Sequence, residues 1–286
     1  MGDRARTSTD WILETRSVRV GLWHDGPEAP SLDGEPPWPR VSLVHAGACT
    51  VATEGRTYVA DAVTAVLLSP TQRYAISPIA AASTRGSTVA VHPAVLGVVF
   101  GRPELRGRFP RPIAPLTPRA ALIERCLLRD VATPSVNPQP LEESALRFIR
   151  EVVGPLLAVG ARVASRPSAR RQRQGIVDTV RTRLACHLTT PVRLGQIADW
   201  VGCSPYHLSR VFRAETGLAV HRYLTRLRLL ASLERLPDCD DLSTLARELG
   251  FSSHSHFTAA FHSEFGLTPS SYRRCPRTKA ASLHGA

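Results

Sequence analysis

The first third of the chain alternates apolar and polar positions with a period of two residues, interrupted by turn-forming residues. This period places side chains on alternate faces of a strand. Such segments occupy residues 17–23, 41–46, 50–60, 65–70 and 86–93. Within the third segment, Glu54-Gly55 is typical of a hairpin turn. We therefore expect a mainly β domain over residues 1–117, built as a small barrel or sandwich of short strands.

The period changes at Thr117, which is placed to cap a helix that opens with Pro118. Residues 118–131 and 141–160 carry apolar residues three and four positions apart, which predicts two amphipathic helices. We expect residues 118–163 to form this helical segment. One apolar stripe of the second helix is a candidate dimer contact, with packing on the β domain as its alternative; it comprises Leu141, Ala145, Phe148, Val152 and Leu156.

Residues 164–174 are rich in Ser, Arg and Gln and contain one Pro, which favours an exposed linker. Beyond it the pattern is helical throughout. We place a second, all-helical domain at residues 175–276 and a short tail at residues 277–286.

Residues 193–212 predict a helix-turn-helix. An apolar helix face ends at Gly202, a residue suited to the left-handed conformation. Ser204 and Pro205 then have the residue types of an N-cap and a first helical position. In the new helix, Leu208 and Phe212 point towards the preceding helix.

The same arrangement returns in residues 242–261. Ile197 and Gly202 match Leu245 and Gly250 at an offset of 48 residues, and after one inserted residue the offset becomes 49. The two copies flank residues 221–236, a segment rich in Leu and Arg, which are good helix formers. A helix of that length spans about 24 Å. Together with the two helix-turn-helix copies on either side, this helix is expected to give their second helices a spacing near the ~34 Å repeat of B-DNA.

Charge favours an acidic partner. The chain has 286 residues, a formal net charge of +12 and a pI near 10.4. Residues 169–286 contribute +8 of that charge, with 17 Lys and Arg against 9 Asp and Glu. Such a balance makes nucleic acid a natural partner. The chain has neither a signal-like opening nor an 18-residue apolar run, so we expect a cytoplasmic protein with no membrane contact.

The duplicated unit resembles the DNA-binding domain of the AraC/XylS family of bacterial transcription regulators. The resemblance rests on IADWVGCSPYHLSRVFRAETG, on the connecting segment, and on LARELGFSSHSHFTAAFHSEFGLTPSSYRR, and it covers residues 175–276. The β segment more weakly resembles the cupin-like sensory domains that precede such domains. The resemblance implies a regulator that binds promoter DNA, contacts RNA polymerase, responds to a small-molecule effector and forms a homodimer. It implies no cofactor and no catalytic activity.

The resemblance also implies which residues meet DNA. The first contact stripe lies on the second helix of the first module, at Tyr206, Ser209, Arg210 and Arg213. The second contact stripe lies 49 residues on, at Ser255, Thr258, Ala259 and His262. Base contacts are expected from Tyr206, Ser209, Arg210, His254, Ser255 and Thr258. Backbone contacts are expected from Arg213, Arg222, Arg226, His262, Arg273 and Arg274. For Arg222, Arg226, Arg273 and Arg274, the alternative is a charge that only solubilises the surface.

Arg210 has the geometry to bond guanine O6 and N7 together. Ala259 replaces what is often a long polar side chain in the family, so the second module should discriminate bases less sharply. Activation and repression are both compatible with the sequence.

Two other function classes stay open: a cupin-type enzyme with a DNA-targeting domain, and a DNA-binding protein without an effector. His24 and His45 are the candidate enzymatic residues of the first class. We expect no metal site, because residues two apart on a helix, such as His254 and His256, diverge by about 200°. His45 and Cys49 would lie about 13 Å apart on a straight strand.

The cysteines favour neither a disulfide scaffold nor repair chemistry. The six of them are widely scattered, which predicts reduced, structural thiols. The methyl-accepting Pro-Cys-His-Arg motif of alkylation repair proteins does not occur, and Cys186-His187 falls in a predicted helix.

Overall fold

The chain forms two compact units. The computed structural model describes residues 9–25, 32–79, 83–102, 107–133, 137–158 and 167–274. One unit comprises Met1–Gly160 with Ser270–Ala286, and the other comprises Ala161–Pro269. The first unit holds the strands and the second is helical, which confirms the predicted order of a β-rich part followed by a helical part.

The strands of the first unit form two antiparallel sheets. One has the order β1-β2-β9-β4-β7-β10 and the other the order β3-β8-β5-β6. Their bounds are β1 (Asp10–Glu14), β2 (Val18–Asp25), β3 (Leu32–Gly34), β4 (Arg40–Ala46), β5 (Ala48–Thr53), β6 (Arg56–Asp61), β7 (Thr64–Leu68), β8 (Tyr74–Pro78), β9 (Thr84–Val91) and β10 (Ile113–Pro115). All five predicted strand segments are present, while β1, β3, β8 and β10 were not predicted.

The predicted hairpin turn joins β5 to β6. Glu54 and Gly55 have φ values of 51° and 69°, and a tight two-residue turn needs both residues in this left-handed region. The turn places Thr53 opposite Arg56 and fixes the register of the pair.

The two sheets share one apolar core. Val44 and Val66 from the larger sheet pack with Cys49, Val51 and Tyr74 from the smaller one. We call the space between the sheets the sheet interior. Burial, together with the nearby charges of Asp25 and Asp61, raises the pKa of the Cys49 thiol to about 12. This thiol therefore stays protonated, which agrees with the predicted structural role.

Helices complete the first unit. They are α1 (Pro93–Phe100), α2 (Pro118–Val131) and α3 (Gln139–Ala158), and α10 (Pro269–Arg274) belongs to this unit from Ser270 onward. Thr117 caps α2 as predicted, since its hydroxyl accepts a hydrogen bond from the Ala120 amide at 3.0 Å. Tyr272 of α10 lies under the Arg129 guanidinium of α2, at 4.7 Å from the ring centroid. The predicted domain limits of 175–276 stay a prediction, while the contacts of α10 group it with the first unit from Ser270 onward.

The apolar stripe of α3 packs inside its own unit. Ala145, Phe148, Val152 and Leu156 are buried and Leu141 is half-buried. The helix contacts α1, α2, β2, β9 and β10. The prediction of this stripe as a dimer contact is therefore wrong, because the sheet already covers it.

The second unit consists of helices. Its elements are α4 (Pro167–Cys186), α5 (Leu194–Asp199), α6 (Pro205–Thr216), α7 (Val220–Arg235), a 3-10 turn (Leu236–Asp238), α8 (Leu242–Glu248) and α9 (His254–Phe265). We call α5 with α6 the first helix pair and α8 with α9 the second helix pair. The prediction of an exposed linker at residues 164–174 is wrong from Pro167 onward, because the Arg- and Gln-rich segment starts α4. Residues 164–166 and the predicted tail lie outside the described residues.

Candidate nucleic-acid interface

The turn of the first helix pair follows the local rules of its sequence. Gly202 has φ of 61°, and the Cys203 amide donates back to the Ala198 carbonyl at 3.2 Å. Ser204 then caps α6 by accepting a hydrogen bond from the His207 amide at 3.2 Å, with Pro205 in the first turn. The predicted cap, proline and left-handed glycine are all present.

One face of α6 is buried and the opposite face is exposed. Leu208 and Phe212 have no exposed surface, and the Phe212 ring packs edge-on against Tyr223 at 5.1 Å. On the other face, Tyr206 is 74% exposed and Arg210 is also exposed. Tyr206 and Arg210 lie on the same exposed helix face, so both are accessible to a partner and are candidate contact residues.

The remaining members of the first contact stripe share that orientation. Arg213 is exposed and Ser209 is half-buried. The helix thus presents a phenol, a hydroxyl and two guanidinium groups, which suit base edges and phosphates.

The second helix pair repeats this frame with different chemistry. Gly250 has φ of 79°, and Ser253 caps α9 by accepting from the His256 amide at 3.1 Å. Phe257 and Phe261 are fully buried, as their counterparts in α6 are.

The exposed side of α9 has no guanidinium group. Of the second contact stripe, Ser255, Ala259 and His262 are exposed and Thr258 is half-buried. His254 lies beside Thr258, with its Nε2 atom 3.4 Å from the hydroxyl. The side chains of this face are hydroxyls, a methyl and imidazoles, so it presents fewer hydrogen-bond donors than the exposed face of α6.

The histidines His254 and His256 of α9 contact different neighbours. The Nδ1 atom of His256 lies 3.0 Å from the Ser252 hydroxyl, and its ring packs against Phe251 at 5.4 Å. Among the described residues, no group of three potential metal ligands comes together.

Helix α7 joins the two pairs and contacts both α6 and α9. Its Arg228 donates from Nε to the Leu188 carbonyl at 2.6 Å, from Nη1 to the Gly250 carbonyl at 2.8 Å and from Nη2 to the Thr190 carbonyl at 3.3 Å. One guanidinium therefore ties the α4–α5 loop and the second helix pair to α7. The sequence pattern did not identify Arg228, because its partners Leu188, Thr190 and Gly250 lie far from it in the chain.

The arginines expected to contact the DNA backbone differ in their exposure and in their ion pairs. Arg226 is largely buried, and its Nε lies 3.1 Å from Glu264 Oε1. Burial lowers the pKa of Arg226, while the nearby charge of Glu264 raises it. This burial and this ion pair disfavour a phosphate contact by Arg226, which stays a prediction. Arg222 also approaches Glu264, at 3.5 Å, but more than half of its side chain is exposed.

Arg273 and Arg274 lie on α10, in the part of the chain that groups with the first unit. Their backbone contacts stay predictions. Arg213 and His262, by contrast, are exposed on α6 and α9 themselves.

The structure adds side chains from α4 to the candidate interface. Gln172 and Arg173 line a groove together with His207 and Arg210 of α6. The Arg- and Gln-rich composition of this segment was visible in the sequence, but its interpretation as a linker hid the connection.

In the first unit, His45 belongs to a buried polar cluster on the helical side of the larger sheet. Its Nε2 atom lies 2.9 Å from Glu124 Oε1, and its Nδ1 atom lies 2.9 Å from Arg125 Nη1. The Ser87 hydroxyl donates to the same Glu124 oxygen at 2.6 Å. Both ring nitrogens of His45 therefore have protein partners, which disfavours His45 as a metal ligand or general base.

The carboxylate at the centre of this cluster is strongly stabilised. Burial by itself would raise the pKa of Glu124, but the charges of His45 and Arg125, with hydrogen bonds from His45 and Ser87, lower it to about 2. His24, the other candidate for enzymatic chemistry, is exposed on β2.

Comparison with known proteins identifies a helix-turn-helix domain in the C-terminal part of the chain. Residues 197–275 match a family model described as a helix-turn-helix domain. The regulatory protein PocR of Salmonella typhimurium is 34% identical over 89 residues, which cover 31% of this chain and 29% of PocR. The transcriptional activator RhaR of Escherichia coli is 33% identical over 99 residues, which cover 34% of this chain and 35% of RhaR.

The chain thus spans about a third of the length of these curated relatives. Among solved structures, ToxT from Vibrio cholerae is 13% identical, with 91% of this chain and 95% of ToxT covered at a TM-score of 0.36. No described helix is long and apolar enough to cross a membrane.

Proposed function

We propose that this chain, whose C-terminal region belongs to the AraC/XylS type of helix-turn-helix domains, is a sequence-specific DNA-binding transcription regulator. The observation that carries the proposal is the division of α6 into a fully buried face and an exposed face with Tyr206 and Arg210. Both helix pairs act as helix-turn-helix motifs, and α6 and α9 enter successive major grooves.

The first contact stripe supplies most of the base discrimination. Arg210 bonds the O6 and N7 atoms of a guanine, and Tyr206 and Ser209 meet neighbouring base edges or a thymine methyl. Arg213 contacts a phosphate and fixes the position of α6 on the duplex.

The second contact stripe discriminates less. Thr258, Ser255 and His254 offer one hydrogen-bonding group or methyl each, and Ala259 offers a methyl alone. His262, Arg222, Arg273 and Arg274 contribute backbone contacts, and Arg226 contributes less because it is paired with Glu264.

The first unit is a cupin-like sensory domain whose interior cavity receives a small-molecule effector. Effector binding acts by favouring one arrangement of the protein over another, through its different affinity for the two. The protein works by occupancy of promoter DNA and by contact with RNA polymerase, and it forms a homodimer through a surface other than the α3 stripe.

Selection of binding sites from random DNA by the purified full chain tests the proposal. We expect an enriched motif with at least one guanine, and Arg210→Ala should relax the preference at that one position. Uniform weakening on all sequences would reassign Arg210 to a phosphate. Failure to enrich any motif, with the protein folded, would contradict sequence-specific binding.

A further inference from the structure

The duplication in the second unit extends beyond the helix pairs to the helix that precedes each pair. Helix α4 contacts α6 as α7 contacts α9. Val180 and Leu184 of α4 are buried, and so are the residues 49 positions on, Leu229 and Leu233 of α7. We call α4, α5 and α6 the first triplet, and α7, α8 and α9 the second triplet. The first helix of each triplet therefore packs on the last one through matched positions.

One ion pair occurs at the same place in both triplets. In the first triplet, Arg173 Nε of α4 lies 3.7 Å from Glu215 Oε1 of α6. In the second triplet, Arg222 Nη2 of α7 lies 3.5 Å from Glu264 Oε2 of α9. Arg222 follows Arg173 by 49 residues, and Glu264 follows Glu215 by the same number. The ion pair thus belongs to the duplicated frame.

The two glutamates explain why an arginine lies beside each of these helices. Glu215 is the next-to-last residue of α6, and Glu264 is the next-to-last residue of α9. The C-terminal end of a helix carries a partial negative charge, which disfavours a carboxylate there. Both carboxylates are also largely buried, so water screens them weakly. A cation from the neighbouring helix offsets both effects, and each triplet supplies an arginine at the matched position.

These contacts leave the arginines partly open to a second anion. Arg173 is 39% exposed and Arg222 is 58% exposed, although each lies beside a carboxylate. The Nε atom of Arg173 is buried and has no hydrogen-bond partner in the described part of the chain, so its contact with Glu215 is an ion pair without a hydrogen bond. A guanidinium group has five N–H donors, so such a contact leaves donors for another partner.

Arg173 also lies next to the first contact stripe. It lines a groove between α4 and α6 together with Gln172, His207 and Arg210, all three of which are exposed. Arg210 is a member of the first contact stripe, so the groove borders the surface proposed to meet bases. The described residues that line the groove include no carboxylate. The position of Arg173 therefore suits an anion that lies beside α6.

We propose that Arg173 contacts a DNA phosphate beside α6, as the first-triplet counterpart of Arg222 beside α9. In the complex, each arginine exchanges part of its pairing with a glutamate for pairing with a phosphate. This inference rests on the proposed function, because it takes the anion to be the DNA backbone. It adds α4 to the interface, and two equivalent phosphate contacts orient α6 and α9 alike on the duplex.

The alternative is an ion pair that only joins two helices. If the pair is purely structural, removal of either partner changes DNA affinity in the same direction. If Arg173 contacts a phosphate, that contact is lost with the arginine. Removal of Glu215 then has the opposite effect, because its charge competes with the phosphate for the guanidinium group and repels the DNA. The two partners of the pair therefore distinguish the two roles.

The test is DNA binding by the full chain to a selected site and to an unrelated duplex, measured by fluorescence anisotropy over a range of salt concentrations. Arg173→Gln should weaken binding to both duplexes by roughly five- to tenfold in about 0.1 M salt. It should also reduce the slope of log affinity against log salt by about 0.9, and Arg222→Gln should do the same. Arg173→Lys should keep most of the slope, because it keeps the charge.

Two further variants complete the design. Glu215→Gln should tighten binding by about two- to threefold, because it removes one negative charge near the duplex. Arg183→Gln, at an exposed position of α4 about 15 Å further along the helix, is the matched control and should bind DNA as wild type does. The thermal midpoint of each variant without DNA shows that it is folded. Arg173→Lys retains the ion pair, so it keeps the test valid if Arg173→Gln is less stable.

Three results would overturn the inference. Arg173→Gln binds DNA as wild type does, or Arg173→Gln and Glu215→Gln weaken binding alike with an unchanged salt slope, or Arg173→Gln changes the preference at one base instead of weakening all sites. Failure of the proposed function gives a different result. If wild type binds both duplexes equally, sequence-specific regulation fails, while the salt slopes still report the phosphate contact. If wild type selects its site and Arg173→Gln is unchanged, the inference alone fails.

Discussion

The two helix pairs share one frame and differ in the chemistry they expose. In both, a left-handed glycine and a serine cap precede the second helix, and two apolar side chains at matched positions are fully buried. Outside this frame, Arg210 of α6 corresponds to Ala259 of α9. The buried residues therefore set where a side chain projects, and the exposed residues set what it contacts.

The strongest test of the shared frame is truncation of its two equivalent aromatic residues. Phe212→Ala and Phe261→Ala should each lower the free energy of unfolding of the second unit by about 3–5 kcal/mol, because each ring is fully buried. Urea denaturation of the full chain measures both. A cost below about 1 kcal/mol for one of them would show that the frames are not equivalent.

Substitution of a buried residue in the first unit is the control for the two phenylalanine substitutions. Glu124→Gln should destabilise the first unit by about 3 kcal/mol, because it leaves His45 and Arg125 without their carboxylate. Both helix pairs should be unaffected. Glu143→Gln, at an exposed position on α3, is the matched neutral change.

The same residue gives a pH dependence with a defined sign. The pKa of Glu124 falls from 4.5 to about 2 on folding, so its ionised form stabilises the protein fully above pH 4.5. That contribution is lost as the pH falls towards about 2. In urea denaturation, the difference between wild type and Glu124→Gln should shrink over this range. A constant difference would contradict the stabilised carboxylate.

At the matched positions 210 and 259, each helix pair can be given the side chain of the other. Arg210→Ala should cost about 1–3 kcal/mol on a site with the selected guanine and little on a site without it. Ala259→Arg should create a guanine preference where the second helix pair meets DNA, because that position projects as Arg210 does. Competition binding with single-base variants of the site measures both. No new preference in Ala259→Arg would indicate that α9 does not reach base edges.

Removing the Arg228 contacts between α7 and the second helix pair should have a smaller effect on stability. Arg228→Gln removes donors from three carbonyls and should destabilise the second unit by about 1–3 kcal/mol. Arg222→Gln, the control on the same helix, should cost less than about 1 kcal/mol, because its ion pair is largely exposed. Equal costs would show that the Arg228 contacts do not hold the second helix pair in place.

Local rules explain what the sequence could predict. Gly202, Ser204 and Pro205 specify a turn by their own conformational preferences, and the strand segments carry their period in adjacent residues. Short or edge elements such as β1 and β3 lack a long enough period, and α1 is apolar on all sides, so no local pattern identified them.

Tertiary partners explain what the sequence could not predict. The α3 stripe has the same pattern whether it meets a sheet or another subunit. Arg226 and Arg40 look alike in the sequence, yet one is paired with Glu264 and the other faces Tyr74. Which arginine is available to a ligand or to DNA depends on residues far away in the chain.

Hydroxyl-radical footprinting of the full chain on a selected site tests the central claim most directly. Two helix-turn-helix motifs in successive major grooves should protect two backbone segments about 10 base pairs apart on one face of the duplex. Arg210→Ala should retain both segments, because the frame is intact. A single protected segment, or two segments on opposite faces, would contradict the account.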